Sequence, residues 1–113
     1  MKAVKILTVA GVLVGLVAYL PQEAVRADST KCTIVHRVRS CDYFMVEARS
    51  DYAILEWYGG HDPDKDGVLI GDLSSYGMKD FYDETADESI HLYVEDRKLT
   101  KVDALERLLD HCE

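Results

Sequence analysis

The sequence predicts a mainly β domain of the α+β class. It is a small antiparallel five-stranded sheet, curled or closed as an SH3-like or OB-like barrel, with one C-terminal helix and a signal peptide in front. Three observations lead there. Short runs rich in β-branched and aromatic residues recur between turn-formers across residues 33–95. Apolar spacing turns helical only over residues 100–112. An uncharged apolar run, residues 6–20, stands ahead of everything else. An open antiparallel sheet with a helix on one face is the alternative architecture.

The leading segment has the three parts of an export signal. Lys2 and Lys5 give it a positive start, and Pro21, Gln22 and Glu23 end the apolar run. The run has 15 residues, which suits a signal core and falls short of the roughly 20 that a membrane span requires. Val25-Arg26-Ala27 has the small-x-small shape expected before a cleavage point. Residues 1–27 are therefore expected to be a signal peptide, with an uncleaved anchor as the alternative. No Cys closely follows the run, so a lipid anchor is not expected. Residues 28–113 are expected to form one exported domain, periplasmic or extracellular.

The leading segment carries Lys2, Lys5, Arg26 and Glu23. The domain keeps 10 of the 13 basic and 20 of the 21 acidic side chains, a net charge of about −10 with His neutral. Such a surface repels phosphate backbones and anionic lipid, so neither nucleic acid nor membrane is expected as a partner beyond the signal segment. It favours cations, basic partners or plain solubility.

The strands follow in order. Residues 33–39 are rich in β-branched side chains and read as the first. Residues 43–49 alternate, with Phe44, Val46 and Ala48 on one face. After the polar turn at residues 49–52, residues 53–58 place Ala53, Leu55 and Trp57 opposite Ile54, Glu56 and Tyr58. The short turn between these two runs predicts a β-hairpin. Gly59-Gly60 ends it, and residues 61–67 form a polar loop. Residues 68–73 read as a fourth strand, with Gly71 as a bulge or bend. Residues 74–88 show neither period and are expected to be a long loop. Residues 89–95 alternate again, with Ile90, Leu92 and Val94 inward. In the helix, Thr100 is the expected N-cap and Asp103 suits the first turn. Val102, Leu105, Leu108, Leu109 and Cys112 are the expected inward stripe.

Geometry restricts the three cysteines. If residues 33–39 are extended, Cys32 and Cys41 stand roughly 25–30 Å apart, far beyond the reach of a disulfide. The bridge is expected between Cys112 and Cys41, with Cys32 as the alternative partner. The absence of a Cys-x-x-Cys gives a redox role no support.

Few residues carry chemistry. Asp62-Pro63-Asp64-Lys65-Asp66-Gly67-Val68 begins as calcium loops do, with carboxylates at alternate positions and a Gly for the turn. Asp62, Asp64, Asp66 and the Val68 carbonyl are the candidate ligands. Leu73 stands where a bidentate Glu belongs, so a complete EF-hand is excluded. A solvated turn is the plainer reading. No two of His36, His61, His91 and His111 have zinc-type spacing, although His61 beside Asp62 could join a metal site. No nucleophile motif appears. Glu47 and Glu56 lie on facing strands and could form a glycosidase-like carboxylate pair, but so short a domain rarely makes the cleft. Tyr52 and Tyr58 share a sheet face with Ile54 and are the candidate binding residues for a peptide or sugar chain. The expected function is non-enzymatic: binding a protein or glycan partner, or a structural role, in the cell envelope or outside the cell. No cofactor is expected unless calcium fills the 62–68 loop. The alternatives are a calcium-binding exported domain and a small secreted hydrolase.

Overall fold

A computed structural model describes residues 29–113 of the chain. The expected signal peptide, residues 1–27, lies outside the described residues. Six strands form: β1 (Thr30–Arg37), β2 (Tyr43–Ala48), β3 (Asp51–Gly60), β4 (Val68–Gly71), β5 (Gly77–Asp83) and β6 (Glu88–Leu99). One helix follows, α1 (Lys101–Cys112). All strand pairs are antiparallel, and the order β1-β2-β3-β6-β5-β4 closes into a barrel.

The mainly β class with a terminal helix is as the sequence predicts, and the closed barrel is the first of its two architectures. The sixth strand is new. β5 runs through the stretch expected to be a loop and pairs with β6 over seven residues, from Gly77–Val94 to Asp83–Glu88. Its inward positions are Gly77, Lys79, Phe81 and Asp83, so only Phe81 gives an apolar signal.

The predicted hairpin forms, with Tyr43 opposite Glu56 and Ala48 opposite Asp51. Alternation sends Phe44, Val46, Ala53 and Leu55 into the core with Cys32, Ile34, Leu69, Phe81, Ile90, Leu92 and Val94. Met45 and Ile54 point the other way and are equally buried, because α1 lies across the outer wall there with Ala104 and Leu108. The helix stripe therefore differs from expectation. Leu105 and Cys112 flank the contact, while Val102 and Leu109 are 63% and 64% exposed. Thr100 caps the helix as expected, its hydroxyl accepting from the Asp103 N–H at 3.1 Å.

Gly71 is a packing gap rather than a bulge. A Cβ placed there would lie 2.3 Å from the Phe81 ring. The missing side chain is the space that the ring fills across the β4–β5 ladder.

The bridge joins Cys41 to Cys112, with Cα atoms 5.4 Å apart. It pins the far end of α1 to the start of β2. Cys32 stays free inside the barrel, and burial pushes its thiol up to about 12, so it is inert as a nucleophile.

Two stability outcomes are expected. Cys41→Ser/Cys112→Ser should lose about 4 kcal/mol in the chain-entropy model, since the bridge closes a long loop. The melting temperature should fall by about 20 °C, checked by calorimetry. Gly71→Ala should cost about 2 kcal/mol by overpacking. In a double-mutant cycle with Phe81→Leu the two losses should be less than additive, and full additivity would refute the fit.

Candidate functional site

When a sheet closes into a barrel, outward side chains meet solvent unless something covers them. Here α1 covers the outer wall around Met45 and Ile54, with Val35, Tyr43, Tyr52 and Leu99 at the margin of the contact. Further along, one ladder row crosses four strands: Tyr43 opposite Glu56, Glu56 opposite Tyr93, and Tyr93 opposite Met78. Tyr58 leans on this row, its ring centroid 6.1 Å from that of Tyr93. His111, from the end of α1, stacks on Tyr43 at 4.0 Å and 11°. Tyr58 and Met78 are exposed, and Glu56 and Glu95 are half-buried.

The carboxylates mark the tyrosines electrostatically. Tyr43 is pushed up to about 12, first by burial and then by the Glu56 charge, with Glu95 adding to it. Tyr58 is raised by Glu56 first and by burial second. Among the described residues neither Glu56 nor Glu95 has an ion-pair partner. The wall thus combines aromatic faces with two unneutralised acids.

The structure separates the two tyrosines expected to bind together. Tyr58 belongs to this wall. Tyr52 lies at the opposite end of β3, packed beside α1. Tyr43, Tyr93 and Glu95 are not among the candidates read from the sequence, and Glu56 is named there only as Glu47's partner; the hairpin register is the signal that places Tyr43 beside Glu56. The expected carboxylate pair is also apart. Glu47 faces Tyr52 and Glu56 faces Tyr43, four residues along the hairpin, or roughly 13 Å.

Several of the protein's own groups hold the 62–68 loop. Arg37 donates to the Pro63 carbonyl at 3.1 Å, to the Cys41 carbonyl at 2.8 Å and to the Asp62 carboxylate at 2.5 Å. The Ile34 N–H donates to the Gly67 carbonyl, and the Asp66 N–H to the Ile34 carbonyl. Asp66 faces Lys65 at 3.5 Å. Among the described residues no three His, Cys, Asp or Glu side chains gather closely enough to hold a metal ion.

His61 turns to Asp83, Nε2 lying 3.3 Å from its carboxylate, while Trp57 Nε1 donates to the His61 carbonyl at 3.0 Å. Among the described residues Asp83 is the one buried acid, 2% exposed. Its other oxygen accepts from the Thr85 and Ala86 N–H groups at 3.0 and 3.1 Å, which makes it the keystone of the β5–β6 turn. His91 pairs with Asp80 on the surface.

No family model matches the chain, and neither curated proteins nor solved structures give a match. No helix among the described residues is long and apolar enough to cross a membrane.

At the other end of the barrel, Asp72 organises the β4–β5 loop. The Ser74 hydroxyl and backbone N–H both donate to it, and Lys79 Nζ lies 3.1 Å away. The Ser74 hydroxyl bond, then its N–H, hold the carboxyl down at about 2, with Lys79 a smaller contribution. A depressed carboxyl stabilises the fold above its unfolded value, near 4, and that contribution is lost as pH falls toward 2. Asp72→Asn should therefore flatten the loss of stability between about pH 4 and pH 2. Urea unfolding at stepped pH measures this, and parallel curves for variant and parent would count against it.

Proposed function

We propose that the domain is a non-enzymatic binding module, exported to the cell envelope or beyond the cell, and that it docks a basic segment of a protein partner on its outer wall. One observation carries the reading. Glu56 and Glu95 stand without ion-pair partners among Tyr43, Tyr58 and Tyr93. Lys and Arg side chains satisfy both halves of that surface, pairing with the carboxylates and resting on the ring faces. The excess of acidic side chains favours the encounter over a longer range. Exposed Met78 extends the apolar contact beyond Tyr93. The calcium-binding and hydrolase readings have less behind them, since Asp62 is committed to Arg37 and Glu47 stands apart from Glu56.

Titration calorimetry of the full chain with synthetic hexalysine, and with neutral chitohexaose beside it, tests the reading. Hexalysine should bind with an affinity that falls with salt. Glu56→Gln/Glu95→Gln should weaken it about tenfold, and Tyr58→Ala should weaken it further. Hexalysine binding indifferent to the Glu pair would mean diffuse charge attraction and would sink the proposal. Chitohexaose binding that Tyr58→Ala abolishes would replace it with a glycan reading.

A further inference from the structure

A cavity of about 220 Å³ opens at the end of the barrel where β1 begins and β6 ends. Ala48, Ala53 and Leu73 make it partly apolar. Arg49, Arg97 and Lys98 line it with cations, and Asp51 is the one acid among them. The domain's basic side chains are few, and half of those among the described residues are paired. Lys31, Arg37, Lys65, Lys79 and Arg107 each pair with an acid. Among the described residues five cations make no ion pair: Arg39, Arg49, Arg97, Lys98 and Lys101. Three of those five meet in this cavity.

The backbone that delivers them is a second, independent observation. Arg49 has φ 58° and Lys98 has φ 54°, in the left-handed region where a side chain is costly and Gly is at ease. Arg49 takes the first central place of the β2–β3 turn, a place that favours Gly when φ is positive. Lys98 lies in a β-bulge. Tyr52 pairs with Leu99 and Ile54 with Asp96, so Arg97 and Lys98 together oppose Ala53. Four non-glycine residues have positive φ among the described residues; the two cations border this cavity, and Asp66 and Asp87 lie at the opposite end. Arg97 is anchored, with Nε donating to the Leu73 carbonyl at 2.8 Å, and its guanidinium lies over the Tyr76 ring.

The groove at the opposite end, about 290 Å³, is larger and also holds Arg37, Arg39 and Lys65. Asp62 and Asp64 share it, and Arg37 spends its donors on the protein itself. The first cavity sets three cations against the single acid Asp51, and the second sets three against two.

We propose that this cavity binds a small organic carboxylate with a hydrocarbon portion. The carboxylate meets Arg49, Arg97 and Lys98, for which planar guanidinium forks suit planar anions. The hydrocarbon part rests on Ala48, Ala53 and Leu73. The volume restricts the ligand to a small one, and the apolar lining disfavours a bare phosphate. The proposal is independent of the outer wall.

The test is an NMR titration of the full chain with benzoate, benzyl alcohol and inorganic phosphate in turn. Benzoate should give saturable shifts at the amides of Arg49, Ser74 and Arg97, with neither of the others matching it. Arg49→Gly/Lys98→Gly relieves the backbone and removes the charges. It should melt no lower than the parent yet bind benzoate at least about tenfold more weakly. Arg49→Gln/Lys98→Gln, which removes charge without changing what the backbone requires, should weaken binding similarly. The proposal fails if benzoate gives no saturable shift. It also fails if both double variants bind like the parent, or if benzyl alcohol or phosphate binds as tightly as benzoate.

Discussion

The barrel depends on its shortest strand. β4 is four residues long, and it pairs with β1 on one side and β5 on the other. Remove it and a closed wall becomes an open sheet with two unpaired edges. Its fit is correspondingly tight. Gly71 makes room for Phe81, Leu69 fills the core, and the loop before it is tied to β1 through Gly67 and Asp66. Arg37 then clamps the same loop from the end of β1. The aspartates that resemble a calcium loop sit inside this closure device.

A second constraint acts outside the barrel. Met45 and Ile54 alternate outward, and a bare barrel would leave them in water. The helix buries them, and the Cys41–Cys112 bridge holds the helix there. Burying two large side chains is worth about 3–6 kcal/mol, so bridge and packing reinforce each other at one spot. The coverage ends before Glu56, which leaves the tyrosine row open. The open surface with Glu56, Tyr58 and Tyr93 is in this sense the part that a twelve-residue helix, roughly 18 Å long, does not cover, although His111 at its end still meets Tyr43.

Most of this frame was legible in the sequence. Strand geometry alone excluded a Cys32–Cys41 bridge, and the hairpin followed from Phe44, Val46, Ala53 and Leu55. β5 was illegible because its inward positions include Gly77, Lys79 and Asp83. Alternation is present in the exposure of its side chains but not in their chemistry, because Asp83 serves the turn and Lys79 reaches Asp72. The helix stripe was misread at Val102 and Leu109 for a related reason. Small Ala104 permits the close approach, and the bridge at Cys112 sets the rotation, while a hydrophobicity pattern favours larger side chains. The basic mouth left no local signal at all. Arg49 and Lys98 lie 49 positions apart in the chain, and each reads as an ordinary polar turn residue until the register brings them together.

The two ends of the barrel answer the same physical problem differently. Strand ends leave cations near one another and near open backbone carbonyls. At one end Arg37 resolves this by taking two carbonyls and a carboxylate, so its charge works for the fold. At the other, Arg49 and Lys98 hold left-handed backbone that glycine would take at less cost, and neither makes an ion pair among the described residues. A chain optimised only for stability would place glycine at both positions. The departure is sharper because the surrounding domain is acidic. Its many carboxylates could have drawn these cations into ion pairs, as they did Lys31 and Arg107. Leaving them unpaired around an apolar floor is therefore a property of the mouth and not of the composition.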